Sequence, residues 1–137
     1  MDINTELTGG LVLVHPALEH DPAGKQNTIG VIRFADMADD GFYVAFSDHT
    51  TALYASDALF VLKSVDEIHH LLVDHGDRLA FPELKALTQL DLTIRYGDGD
   101  KLRNALQLAV NNPDIQPLCL DLLKDVIQLQ QTNARKR

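Results

Sequence analysis

Apolar and polar residues alternate with a period of two over much of residues 10–63, and from residue 64 onward the apolar positions recur every three to four residues. The chain therefore reads as strands followed by helices. Gly9-Gly10 lead into Leu11–Val14, a short β-rich run stopped by Pro16. The next stretch holds Pro22, Gly24 and Asn27 without periodicity and reads as a loop of about ten residues, long for a hairpin. Residues 28–36 resume as a strand, with Ile29, Val31 and Arg33 on one face and Gly30, Ile32 and Phe34 on the other. Asp40-Gly41 supply a turn that tolerates positive φ. The strand over 42–48 then sets Phe42, Val44 and Phe46 opposite Tyr43, Ala45 and Ser47. Asp48-His49-Thr50 turns the chain again. Residues 51–55 form a short strand, 56–58 a single helical turn and 59–63 a last strand.

This order of five short strands, with one long first loop, two tight hairpins and a helical turn before the last strand, resembles the SH3-like small-barrel architecture shared by SH3, Tudor and KOW domains. The resemblance covers about residues 10–63. It rests on the G-x-I-G-x-I-type strand, the acidic turn, the V-x-F-x-D strand, and Tyr54 and Leu59. It implies a small β-barrel and carries over no functional residue.

At Ser64 the period changes. Ser64 with Glu67 three residues later is a capping box, and Val65, Ile68, Leu71 and Leu72 share one face of a helix that ends at Gly76 as a C′ residue. In FPELKALTQLDLTIRYG, Leu84, Leu87, Leu90 and Ile94 fit a helical stripe after Pro82, whereas LDLTIRY alone alternates as a strand would. The helix is favoured, because no partner strand is evident. A further helix runs from about Asp100, with Leu102, Ala105, Leu106 and Ala109 inward, to Asn112-Pro113. A last helix is expected over 117–131, with a broad apolar face of Leu118, Cys119, Leu122, Leu123, Val126 and Ile127. The fold class expected is thus α+β: a five-stranded SH3-like β-barrel over 1–63, a three- to four-helix annex over 64–131 and a basic tail over 132–137.

Composition narrows the functions. The chain has 137 residues, 45% hydrophobic and 23% charged, enough to bury a core without disulfides or metal. One cysteine, Cys119, excludes an internal disulfide framework and fits a reducing compartment. No window approaches the roughly 18 apolar residues of a membrane span, and no signal sequence is expected, so the setting expected is cytoplasmic. The net charge is −8. Residues 1–63 hold nine acids against Lys25, Arg33 and Lys63, a local −6. Phosphate backbones are bound through Lys and Arg, so neither nucleic acid nor membrane is an expected partner. The one basic cluster, Arg135-Lys136-Arg137, reads as a solvated tail.

Candidate chemistry is sparse. His15 and His20 flank a loop that also holds Glu19 and Asp21, and His49 sits in a hairpin turn; imidazole and carboxylate together are a zinc-type donor set. Asp66, His70 and Asp74, four apart, share one helix face. No rigid ligand spacing accompanies either group, and solvated loop and helix faces are the preferred reading. Neither an activated serine motif nor a phosphate cradle is present, and Cys119 reads as a core thiol. Six of the eight aromatics fall between residues 34 and 60. Tyr43, Tyr54, Asp48 and Asp57 suggest a cage for a methylated cation, but the preferred reading places Phe34, Phe42, Phe46 and Phe60 in the core and leaves both tyrosines half-exposed. The expectation is a non-catalytic protein without cofactor that works through protein contacts and self-associates as a homodimer, with Tyr43, Tyr54, Leu118, Leu122 and Val126 as contact residues. The rival is a metal-dependent enzyme or metal sensor using His15, His20 and His49 or Asp66, His70 and Asp74.

Overall fold

A computed structural model describes residues 9–18, 21, 23–97 and 100–128. Among the described residues the fold is α+β, with a six-stranded sheet and five α-helical segments. The strands are β1 (Leu11–Val14), β2 (Ile29–Asp36), β3 (Gly41–Ala45), β4 (Thr51–Tyr54), β5 (Leu59–Leu62) and β6 (Leu120–Leu122). The helices are α1 (Val65–His75), α2 (Phe81–Tyr96), α3 (Lys101–Asn111), the single turn α4 (Gln116–Cys119) and α5 over 123–128. The sheet is antiparallel in order β4-β3-β2-β1-β5-β6, and it is open, with β4 and β6 as its edges. The chain divides into two compact units, Met1–Val61 with Asp121–Arg137, and Leu62–Leu120.

The first unit carries the strands that alternation predicts. Its core is one cluster, in which Val12, Val14, Ile32, Ala35, Phe42, Val44, Phe46, Tyr54 and Leu59 meet Leu123 and Ile127. These two α5 residues are four apart and so share one helix face. The helix expected over 117–131 is not a single helix. Leu120 is extended (φ −118°, ψ 145°), and Leu120–Leu122 form β6 at the sheet edge beside β5. Backbone pairing outweighs the helical period there, because a strand beside β5 satisfies N–H and C=O groups that the sheet would otherwise leave at its edge. Residues 129–131 and the basic tail 132–137 lie outside the described residues.

A bulge in β2 corrects the alternation. Ile32 pairs with Val44, yet Phe34 pairs with the next residue of β3, Tyr43, so Arg33 is extra. Ile32 stays buried while Phe34 is turned outward, 58% exposed, and Ala35 is returned to the core. Phe34 is therefore not a core residue as expected. Deleting Arg33 leaves both flanking registers in place, so we expect a cost of about 1 kcal/mol or less in urea unfolding. Deleting Val31 should unfold the unit, because a one-residue slip reverses the strand faces.

The second unit is helical. Ser64 caps α1, its Oγ accepting from Glu67 N–H at 3.2 Å. Gly76 does not take the left-handed C′ form (φ −58°, ψ −33°), and the chain tightens there into a 3₁₀ turn, Gly76–Arg78. LDLTIRY is helical within α2, as favoured. Ile68, Leu87, Leu90, Leu106, Ile115 and Cys119 are buried in this unit, whereas Leu102, expected inward, is 51% exposed in the first turn of α3.

Candidate protein-binding face

The β2 bulge builds a surface that the sequence does not announce. Phe34 lies opposite Tyr43, and Tyr43 opposite Leu53, so three strands present one row of large apolar side chains. Their exposures are 58%, 42% and 57%. The rings of Phe34 and Tyr43 lie 6.0 Å apart at 56°, a favourable tilted pair. Leu53 lies over the backbone of Gly41, where an added Cβ would come within 3.1 Å of its Cδ1. Gly41 thus leaves room for Leu53 to lie flat. The next outward row, Val31–Ala45–Thr51, continues the face with smaller side chains. A contiguous row of large exposed apolar groups marks a contact surface more often than isolated ones do.

The turns bordering the face are acidic and ordered. Asp40 (φ +52°) accepts from Ser56 N–H at 3.3 Å, and Asp36 accepts from Asp39 N–H at 3.4 Å. Between β3 and β4, Ser47-Asp48-His49 make a three-residue hairpin loop. Phe46 N–H bonds Thr50 O at 2.9 Å, His49 N–H bonds Phe46 O at 3.0 Å, and His49 is left-handed at φ +70°. The place of His49 is thus set by the turn. Asp48 accepts from Lys25 Nζ and from Thr50 Oγ1 (2.6 Å), contacts that hold its carboxyl far below the usual carboxylate range. Lys25 Nζ also stands 5.4 Å from the Phe46 ring centre.

The two tyrosines are on opposite faces. Tyr54 pairs with Phe42 and is only 5% exposed, which excludes a cage shared with Tyr43. Its hydroxyl donates to Asp21 Oδ2 at 2.8 Å, and the Asp21 carboxylate also accepts from Ala23 N–H (3.0 Å) and Lys25 N–H (2.8 Å). Burial pushes the Asp21 carboxyl up, but these bonds outweigh it and the net displacement is below 3.8. Burial, followed by the Asp21 bond and charge, pushes the Tyr54 hydroxyl well above 10. Tyr54→Phe should cost about 1–2 kcal/mol at neutral pH, measured by urea unfolding. Since the folded Asp21 pKa is depressed, its contribution is present above 3.8 and lost as pH falls through the lower folded value. Wild type and variant should therefore converge in acid. Tyr54, with its pKa raised, contributes below 10 and loses that contribution as pH rises through the folded value. An unchanged difference at low pH would exclude the Asp21 linkage.

The remaining predicted residues are dispersed. Leu118, Leu122 and Val126 are half-buried, the first in the helical unit and the other two in the sheet unit. His15 Nδ1 accepts from Ala17 N–H at 3.0 Å, and its ring stacks on Phe60 at 4.6 Å. His20 and Glu19 lie outside the described residues. His70 Nε2 meets Asp74 Oδ2 at 2.6 Å on the exposed face of α1, with Asp66 one turn earlier. Among the described residues no three of His, Cys, Asp and Glu converge as metal ligands. Cys119 is buried, and burial pushes its thiol up to about 12, so it is a poor nucleophile. One open depression of about 230 Å³, lined by Met37, Asp40, Ser56, Lys124, Ile127 and Gln128, lies in the sheet unit. Asp40 takes the backbone N–H of Ser56 there, which does not make an activated serine.

Sequence reasoning missed Phe34 and Leu53 as surface residues, and also Asp91. Asp91 is only 7% exposed on α2, with Arg95 Nε at 3.0 Å and His69 Nδ1 at 4.0 Å. The four-residue spacing of Asp91 and Arg95 was the legible signal. Among the described residues no helix is long and apolar enough to cross a membrane. Comparison with models of known protein families, with curated proteins and with solved structures finds no match to this chain.

Proposed function

We propose that this chain is a non-catalytic protein that works by binding another protein through the outer face of β2, β3 and β4. The observation that carries the reading is the exposed row Phe34–Tyr43–Leu53, held on a sheet whose opposite face is the core. Strands hold such side chains in place, so little ordering remains to oppose binding. The meander β1–β4, with β5 returning beside β1, supports reading the sheet unit as an SH3-like small barrel. A lone, buried cysteine supports a cytoplasmic setting. A homodimer is the alternative use of the same face, in which the bound protein is a second copy.

The test compares proteins captured from the native cell lysate by the wild type and by the double variant Tyr43→Ser/Leu53→Thr. A control variant, Phe81→Ser, removes an exposed aromatic of the helical unit. The sheet variant should lose one or a few proteins by about tenfold or more, while the control retains them. Both variants should stay folded, because the three side chains are exposed. Indistinguishable capture by all three proteins would remove the reading.

A further inference from the structure

We propose that β4 receives an extended, basic segment of the partner protein as an added strand, with the partner's apolar side chains lengthening the row Leu53–Tyr43–Phe34. This deepens the protein-binding reading and rests on it.

The argument begins with backbone polarity. Antiparallel pairs alternate between hydrogen-bonded and non-hydrogen-bonded. The Phe46 N–H to Thr50 O bond marks residues 46 and 50 as a bonded pair. In the register that follows, Val44/Ala52 and Phe42/Tyr54 are bonded pairs, and Ala45/Thr51 and Tyr43/Leu53 are not. Thr51 and Leu53 therefore aim their N–H and C=O groups away from β3. Because among the described residues β4 is a sheet edge with β3 as its one neighbour, these four groups face outward in a short template for strand addition. The Leu53 side chain stands on the exposed face beside them, so a strand docked there sets an apolar side chain next to Leu53 in the same row.

Charge selects the occupant. The turns at the two ends of β3 and β4 bring Asp36, Asp39 and Asp40 to one end and Asp48 to the other, and Asp57 follows β4. Against these five carboxylates stand Lys25, engaged by Asp48, Lys124, which lines the same depression as Asp40, and Arg33, exposed at the bulge, so the border stays acidic. An acidic or neutral strand gains nothing from this border, and a second copy would bring its own five aspartates to it. A segment with Lys or Arg flanking its apolar residues matches both the border and the row.

The test uses three short synthetic peptides: one alternating lysine and valine, one alternating glutamate and valine, and the lysine–valine peptide methylated on alternate backbone nitrogens. Amide hydrogen exchange is followed residue by residue on the full chain. The lysine–valine peptide should slow exchange at Thr51 and Leu53 by about tenfold or more at saturation. The effect should weaken with salt, vanish with the glutamate peptide and vanish when the methylated nitrogens are those that would donate to β4. Unchanged exchange at Thr51 and Leu53, or equal protection by the glutamate peptide, overturns the proposal. So does protection that rises with protein concentration without peptide, together with a dimer by light scattering, since the occupant would then be a second copy. If the peptides fail while Tyr43→Ser/Leu53→Thr still loses its captured protein, the face binds a protein by side chains alone. If both fail, the protein-binding reading falls with the strand-addition one.

Discussion

Phe42→Ala should destabilise the protein by about 3–5 kcal/mol. Phe42 is fully buried on the inner face of β3, in the one cluster that joins the sheet to Leu123 and Ile127. It is among the largest fully buried side chains of the chain. Its neighbours across the sheet, Ala35 and Tyr54, are held by backbone pairing, so they can collapse only partly into the space left behind. The loss therefore includes the cavity as well as the transferred surface. Against the roughly 5–15 kcal/mol that stabilises an ordinary domain, this is a third or more. Urea unfolding followed by circular dichroism measures it, with a lower midpoint and an unchanged slope. A loss below about 1 kcal/mol would mean that the cluster is not packed as described.

Gly30→Ala should be destabilising by about 1–3 kcal/mol, although alanine ordinarily improves on glycine within a strand. A Cβ added at Gly30 would lie 2.3 Å from Val44 Cγ1, 3.0 Å from Phe46 Cε1 and 3.1 Å from Ala45 O. Val44 is fully buried and β-branched, so its methyl has few other positions to take. Gly30→Val should cost more, because the side chain is larger and the backbone oxygen cannot move aside. Overpacking makes a specific prediction about coupling. Val44→Ala removes the clashing methyl, so adding Gly30→Ala to Val44→Ala should cost less than adding it to the wild type. Additive costs, or a stabilised Gly30→Ala, would show that the two strands do not approach this closely.

The two variants probe one core from opposite sides, through a cavity and an overfilled contact. Neither touches the outer row, so a Phe42 or Gly30 variant that remains folded should bind like the wild type. Conversely, Tyr43→Ser and Leu53→Thr should alter binding while lowering stability by about 1–2 kcal/mol, the loss of the aromatic and cross-strand pairs and less than the Phe42→Ala effect. That separation between stability and binding is the behaviour expected of a contact face built on a rigid sheet.

Much of the sheet unit is legible in its side-chain period. Leu11–Val14 is a continuous apolar run buried from Val12 to Val14, and residues 42–46 alternate because Phe42, Val44 and Phe46 must be buried. Asp40 takes the positive φ that the turn needs, as its residue type allows. The start of α1 is equally local, since Ser64 and Glu67 satisfy its first N–H groups without help from elsewhere. These features depend on neighbours a few residues away, and a sequence records such neighbours directly. The buried state of Cys119 follows in the same way from an apolar setting.

Other features needed the tertiary fold. Alternation puts Phe34 in the core beside Ile32, but the partner strand leaves Arg33 unpaired, and that one residue turns Phe34 outward. Nothing within β2 states this, because a bulge belongs to a pair of strands. Tyr43 and Tyr54 look equivalent along the chain, yet pairing sets them on opposite faces, and Asp21, thirty-three residues away, takes the Tyr54 hydroxyl. Leu120–Leu122 would extend a helix by period alone. The free edge of β5 offers them hydrogen bonds in a strand instead, and the apolar period then resumes in α5. Outside Leu120–Leu122, local spacing decided where chain segments become strands and helices. Which side chains face the core and which form the contact row was decided by registers between segments distant in sequence, because a side chain's surroundings are set by its partner strand.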